Sequence, residues 1–328
     1  MNLEKLPKIA LNLNFESSVG YEDIKYYSSL QPDELDQILF VNSNDNAQIY
    51  AKRKNFALGQ LQLPNKLKKA AYELALKLKK DNVIYAEIVV TPTLHINEGL
   101  SFENILYFIR QGFKEAEALN YKILLGALKN EKKDANIELI NLYEQYKDDF
   151  VCGIAIVGES MANRIPDFKD FFDLLNEKQI PFSFDCGIFD TPEDIKFLID
   201  NNVQRIVGGL NSMIDFSVMG EAVLKRIMFV EQPKALIAKK ELASYLDDKL
   251  KNMASSGCIM AISIDSLTLE NISIGEELSH IVDVQMFSLE DVLKMNKNAL
   301  IYSFLDVAGK TKYSEILSRF ETLEDLNN

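Results

Sequence analysis

The sequence predicts an α/β chain: a (β/α)8 TIM-type barrel with extra helices between strands 1 and 2. Three observations predict it. Eight short, apolar, β-branched runs recur along the chain, beginning at Lys8 (KIALNLNF), Asn82 (NVIYAEIVV), Lys122 (KILLGAL), Val151 (VCGIAIVG), Pro181 (PFSFDCG), Val203 (VQRIVGG), Arg226 (RIMFVEQ) and Cys258 (CIMAISID). The last six begin 29, 30, 22, 23 and 32 residues apart, the size of one strand plus its return helix. Each run is apolar on both faces, as a strand must be when a packed interior lies on one side and helices on the other. A chain of 328 residues is long for one domain unless it is a barrel of this kind.

The elements follow in order. After the first strand, the segment from Glu16 to Lys80 is too long for one crossover and predicts extra helices. The last of them places Leu67, Ala70, Ala71, Leu74, Ala75 and Leu78 on one stripe, with Lys68, Lys69, Lys77 and Lys80 on a solvated face. Strands 2 to 8 then alternate with helical stretches. Ser288 and the acidic residues after it open a last helix predicted over Leu289–Leu305, and His280 reads as part of a polar loop. No Gly/Ser linker or composition break divides the chain, so residues 1–328 read as a single domain.

Composition excludes whole classes of function. Thirty-six Lys and Arg against 49 Asp and Glu give a net charge of −13, which disfavours binding to nucleic acid or an anionic membrane. The N-terminus lacks the pattern of a signal peptide, and no apolar run reaches about 18 residues, so the expectation is a cytoplasmic protein. Cys152, Cys186 and Cys258 are scattered without a CxxC pair. His95 and His280 are the only histidines, too few for a site that needs three imidazoles.

In such a barrel, function belongs to the C-terminal ends of the strands. Asn12, Asn14 and Glu16 end strand 1, Lys129 strand 3, Gly158 and Glu159 strand 4, and Asp185, Cys186 and Gly187 strand 5. Gly208 and Gly209 end strand 6, Glu231 and Gln232 strand 7, and Asp265 and Ser266 strand 8. Two carboxylates facing one cavity repel, so one of Asp185 and Asp265 should gain proton affinity, unless a neighbour such as Lys129 neutralises it.

This layout resembles the adenosine deaminase family of the amidohydrolase superfamily. Leu6-Pro7-Lys8-Ile9-Ala10-Leu11-Asn12-Leu13-Asn14 is similar to the family's opening Leu-Pro-Lys-x-Glu-Leu-His-x-His. Asn82–Pro92, Gly99–Asn104, Gly153–Ser160, Arg205–Gly209 and the Asn298–Leu305 stretch match further segments in the same order. The resemblance implies a zinc ion that ionises a bound water for attack on a purine ring. It also implies that most of the residues for that chemistry are replaced. Asn12, Asn14 and Asp185 stand at three metal-ligand positions, and only Asp265 is retained. Ile188 takes the place of the proton-handling glutamate and Gly208 that of the catalytic histidine. Ser266 replaces a following aspartate, and Val230-Glu231-Gln232-Pro233 lacks the expected Ser-Asn pair. Glu16 matches a residue that contacts the nucleoside's ribose, and Gly158 a backbone contact to the purine.

Carboxamides are weak zinc ligands, so the expectation is no cofactor, with at most weak binding of Mg²⁺ or Ca²⁺. The leading expectation is a pseudoenzyme, leaning away from catalysis. It would bind a purine nucleoside or related metabolite, or a protein partner, through Glu16, Gly158, Asn12 and Asn14. The rival expectation is an enzyme in which Asp185 and Asp265 act as a metal-free acid and base. A third is residual metal-dependent hydrolysis. His95 and Cys186 read as packing residues.

Overall fold

A computed structural model describes residues 3–131, 133–158, 164–284 and 286–320. Strand β1 (Lys8–Asn14) is followed by four helices, α1 (Tyr21–Tyr27), α2 (Pro32–Leu39), α3 (Ala47–Gly59) and α4 (Pro64–Lys80), before β2 (Val83–Val90). Alternation then sets in: α5 (Phe102–Ala116), β3 (Tyr121–Leu128), α6 (Lys133–Tyr146), β4 (Val151–Val157), α7 (Lys169–Glu177), β5 (Phe182–Cys186), α8 (Pro192–Asp200) and β6 (Arg205–Gly208). The series continues with α9 (Phe216–Leu224), β7 (Met228–Glu231), α10 (Pro233–Ala238), α11 (Lys249–Ser255), β8 (Ile259–Ile262), α12 (Ile274–Asp283), α13 (Leu289–Ile301) and α14 (Val307–Leu317).

All eight strands pair in parallel, in the order β1 to β8. The sheet curls until its two edges meet. Asn14 N–H donates to the Asp265 carbonyl at 3.0 Å, and Ser263 Oγ donates to the Leu11 carbonyl at 2.6 Å. Side chains alternate as a strand requires. Val207 and Val230 join an interior cluster with Leu11, Tyr85 and Ala261, whereas Ile206 and Phe229 join the layer under the helices. The predicted stripe of α4 is buried as expected, against α5 and the sheet. No described helix is long and apolar enough to cross a membrane.

Two expectations need correction. His280 lies in helix α12 and not in a loop, because Ser273 and Glu276 form a reciprocal cap that starts a helix ahead of it. The last helix predicted over Leu289–Leu305 ends at Ile301, and α14 follows it. Tyr313 of α14 packs on Tyr85 with ring centroids 5.5 Å apart, and Leu317 joins the same interior cluster, so α14 stoppers the end of the barrel opposite the mouth.

Candidate active site

The C-terminal strand ends enclose a cavity of about 520 Å³. Its walls include Asn12, Asn14 and Glu16 from β1 and its continuation, Gly158 after β4, Asp185 and Cys186 on β5, Gln232 after β7 and Asp265 after β8. Helix α3 crosses one side and contributes Tyr50 and Lys54. The strand-end residues therefore converge as barrel geometry demands. Glu159 lies outside the described residues.

The two aspartates have opposite electrostatic fates. Burial, and then the negative charge of Asp265, raise the Asp185 carboxyl from its ordinary value to about 6, while Lys129, Lys239 and Lys54 limit the rise. Burial also pushes Asp265 upward, but Lys54 and Lys239 outweigh it, helped by hydrogen bonds from Lys54 and Tyr50, and hold it below the usual carboxylate range. Lys54 Nζ lies 2.7 Å from Asp265 Oδ2 and 3.1 Å from Oδ1. Tyr50 Oη donates to Asp265 Oδ2 at 2.8 Å and lies 3.0 Å from Glu270 Oε1. One phenol proton cannot serve two ionised carboxylates. Burial, with Asp265 close by, raises Glu270 well above its ordinary value, so of the two carboxylates Glu270 is the one that takes up a proton more readily.

Asn12 is inside a hydrogen-bond net. Its amide nitrogen donates to Ser183 Oγ at 2.8 Å, and its oxygen accepts from Arg205 at 2.9 Å. It also carries a φ of +54° where the β1–β2 register shifts, a left-handed backbone that asparagine tolerates better than most residues. Asn14 Oδ1 accepts from the backbone and hydroxyl of Ser17. Glu16 Oε1 accepts from Thr91 N–H at 2.6 Å and lies 3.5 Å from His95 Nε2, while Oε2 has no partner among the described residues. Gly158, at φ +90°, lines the cavity with backbone alone. Gly208 has φ +74°, and a Cβ there would approach the Cys186 carbonyl to 2.4 Å, so this backbone has no room for a histidine.

The other groups near the strand ends meet different surroundings. Lys129 pairs with Asp190 at 3.1 Å and lies over the Phe184 ring, and its field lowers the proton affinity of Asp185. Cys186 is buried and its thiol is pushed well above the ordinary value, mainly by burial, which leaves it a poor nucleophile. His95 is fully buried beside Glu16. Glu231 faces the core and not the mouth, with burial and then Glu241 raising its carboxyl to about 8. The sequence reading missed Tyr50, Lys54 and Lys239. Tyr50 and Lys54 stand one helical turn apart on α3, but nothing local in the sequence tells which strand end that turn faces.

A family model described as adenosine deaminase matches residues 29–320. An adenosine deaminase of Clostridium perfringens (strain SM101) is 24% identical over 326 residues, covering 95% of this chain and 98% of that protein. Among solved structures, the adenine deaminase of Arthrobacter aurescens superposes with a TM-score of 0.85 at 16% identity, covering 95% and 98% of the two chains. An amidohydrolase of Burkholderia ambifaria with bound zinc gives 0.85 at 15% identity over 96% and 90%. The Arabidopsis protein ADAL complexed with IMP gives 0.85 at 15% over 96% and 97%.

These findings correct two expectations. Relatives that are adenosine deaminases point to an enzyme, against the reading that leaned away from catalysis. The zinc-bound amidohydrolase, with the family itself, points to a zinc cofactor, against the expectation of none. The donor set here does not fit that ion as imidazoles would. Asn12 and Asn14 are engaged as described, and both oxygens of Asp265 are taken by Lys54. No group of three or more His, Cys, Asp or Glu among the described residues is arranged to hold a metal. With the family model spanning residues 29–320 and a relative aligned almost end to end, the chain belongs to the adenosine deaminase family.

Proposed function

We propose that this protein is an enzyme acting on a purine-nucleoside-like substrate at the barrel mouth, with Asp185 as the group that carries the proton. The observation that carries the reading is a pair of carboxylates in one cavity whose surroundings drive their proton affinities apart. Such a split is the usual mark of an acid and a base with separate duties. Asp185, at about 6, changes protonation close to neutral pH and so both gives and accepts a proton readily. Asp265 stays ionised, fixed by Lys54 and Tyr50, and supplies the negative charge beside it.

The purine class is supported by two kinds of observation. Structural neighbours include an adenine deaminase and a protein complexed with IMP. Glu16 lines the cavity, and a carboxylate there is suited to accept a hydrogen bond from a sugar hydroxyl. Gly158 leaves its backbone open to a flat ring. Asn14 shapes the wall beside them, and Asn12 braces it from below.

The test is a thermal-shift screen with adenosine, inosine and IMP, followed by turnover of whichever stabilises the fold. Asp185→Asn should fold, still bind, and lose activity by about two to four orders of magnitude. Absence of any purine-induced shift, or wild-type turnover by Asp185→Asn, would overturn the reading.

A further inference from the structure

Resting on the purine reading above, we infer that the ligand carries an anionic substituent, a phosphate or a carboxylate, and that Lys54 and Lys239 receive it at the cavity wall. The chain as a whole holds 49 acidic residues against 36 basic ones. Two helices that border the cavity run against that balance. Helix α3 carries Lys52, Arg53 and Lys54 and no Asp or Glu. Residues 233–240, which are α10 and the two positions after it, carry Lys234, Lys239 and Lys240, again with no acid. Positive charge gathered in this way along a concave wall raises the local concentration of anions.

Only some of these cations face a ligand. Arg53 is clamped by Asp45 at 2.7 and 2.8 Å, and Lys240 reaches the Ser43 carbonyl. Lys54 and Lys239 line the cavity, as does Leu236 one turn before Lys239, so this face of α10 is turned to the mouth. Their ammonium groups flank one ring: Lys54 Nζ lies 5.7 Å and Lys239 Nζ 5.4 Å from the centroid of Tyr50. Lys129, the third lysine on the wall, is buried against Asp190. Asp265 is already met by Lys54 at both oxygens and by Tyr50, so the charge of Lys239 is more than it needs to stay ionised. The side chain of Lys54 is 31% exposed and Lys239 is half-buried, which leaves both able to turn toward a bound group. An ammonium has three donors, and lysine is a common point-charge partner of phosphate. The fields of both lysines also reach Asp185 and Asp265, which puts the anion's seat beside the carboxylates that meet the purine.

The experiment is calorimetry of inosine, IMP and inosine 5′-carboxylate binding to wild type and to Lys239→Gln, which spares the lysine that fixes Asp265. Wild type should bind at least one of the two anions about tenfold tighter than inosine, an advantage that shrinks as salt rises. Lys239→Gln should weaken that anion by about tenfold, the scale of one charged hydrogen bond, and inosine by less than about twofold. A gain with IMP alone assigns the substituent as a phosphate, and a gain with the carboxylate alone assigns it as a carboxylate. Inosine bound as tightly as both anions would overturn the proposal while leaving the purine reading standing. So would a Lys239→Gln variant that binds the anion as wild type does, or that weakens inosine and anion alike. If none of the three binds, the purine reading fails, and ribose 5-phosphate against ribose decides the anion seat by itself: a preference for the phosphate ester that Lys239→Gln removes supports it, and no preference overturns it.

Discussion

Two polar layers lie one above the other inside this barrel, and they are built on different principles. Val207 lines the mouth, so Arg205, two residues earlier on β6, points into the layer below it. There the guanidinium is fully buried and meets Glu87 at 2.6 Å, Asn12 at 2.9 Å and the Tyr302 carbonyl at 2.7 Å, with the Phe304 ring 4.0 Å away. Glu87 in turn accepts from Tyr85 and from the Phe304 backbone. In the mouth above, Asp185 is left with a raised proton affinity and Glu16 with an unmatched oxygen. Buried polar groups that hold a fold are generally satisfied, because an orphan costs free energy. In the lower layer Glu87 and Asn12 obey that rule, while Arg205 keeps one nitrogen, Nε, without a partner among the described residues. The upper layer leaves Asp185 at the cavity wall for something else to use.

Breaking the lower layer should have the largest effect on stability. Arg205→Met leaves Glu87 buried without its cation, a loss of about 3–5 kcal/mol in urea unfolding. A loss below about 1 kcal/mol would show that the layer does not brace the barrel.

The upper layer should behave in the opposite sense. Asp185 has a folded-state value of about 6, above its ordinary 3.8, so the native state holds more protons between those limits. Its contribution is fully present below about 4 and is lost as pH rises through about 6. Asp185→Asn should therefore raise stability at pH 7, by about 2 kcal/mol, and flatten this part of the pH profile. Urea midpoints from pH 4 to 7 for both proteins check the sign. A variant less stable at pH 7 would place Asp185 among the bracing residues.

Glu16 sharpens the comparison on the side of binding. Glu16→Gln should weaken inosine binding by about 1–2 kcal/mol in calorimetry, the scale of one charged hydrogen bond, with the melting temperature little changed. The smallest effect belongs to Tyr85→Phe, which removes a single 3.2 Å hydrogen bond to Glu87. A loss of about 0.5–1 kcal/mol is expected, since Glu87 keeps Arg205.

How much of this was legible depends on whether a signal is local. The strands were, because apolar β-branched runs such as Ile123–Leu128 and Ile154–Val157 are buried on both faces wherever they occur. Helix α12 carries its own start signal in Ser273 and Glu276, but the polar residues around His280 read as a loop. Helix α14 buries only Tyr313 and Leu317, too few for a periodic stripe. At the site, Asn12, Asn14, Asp185 and Asp265 were legible from their places at strand ends, whereas the partner of Lys129 was not. Asp190 reaches it from a loop whose path depends on the whole β5–α8 turn.

The order of the strands, and with it the set of side chains delivered to one mouth, was determined by the sequence alone, through the period-two burial of each run and the length of the segments between. Only the tertiary structure decided which charges those side chains meet. Lys54 comes to Asp265 from a helix 211 residues away in the chain. The electrostatic split between two otherwise similar aspartates follows from that long-range meeting, because proton affinity depends on distance in space and on burial, neither of which is written at the residue itself.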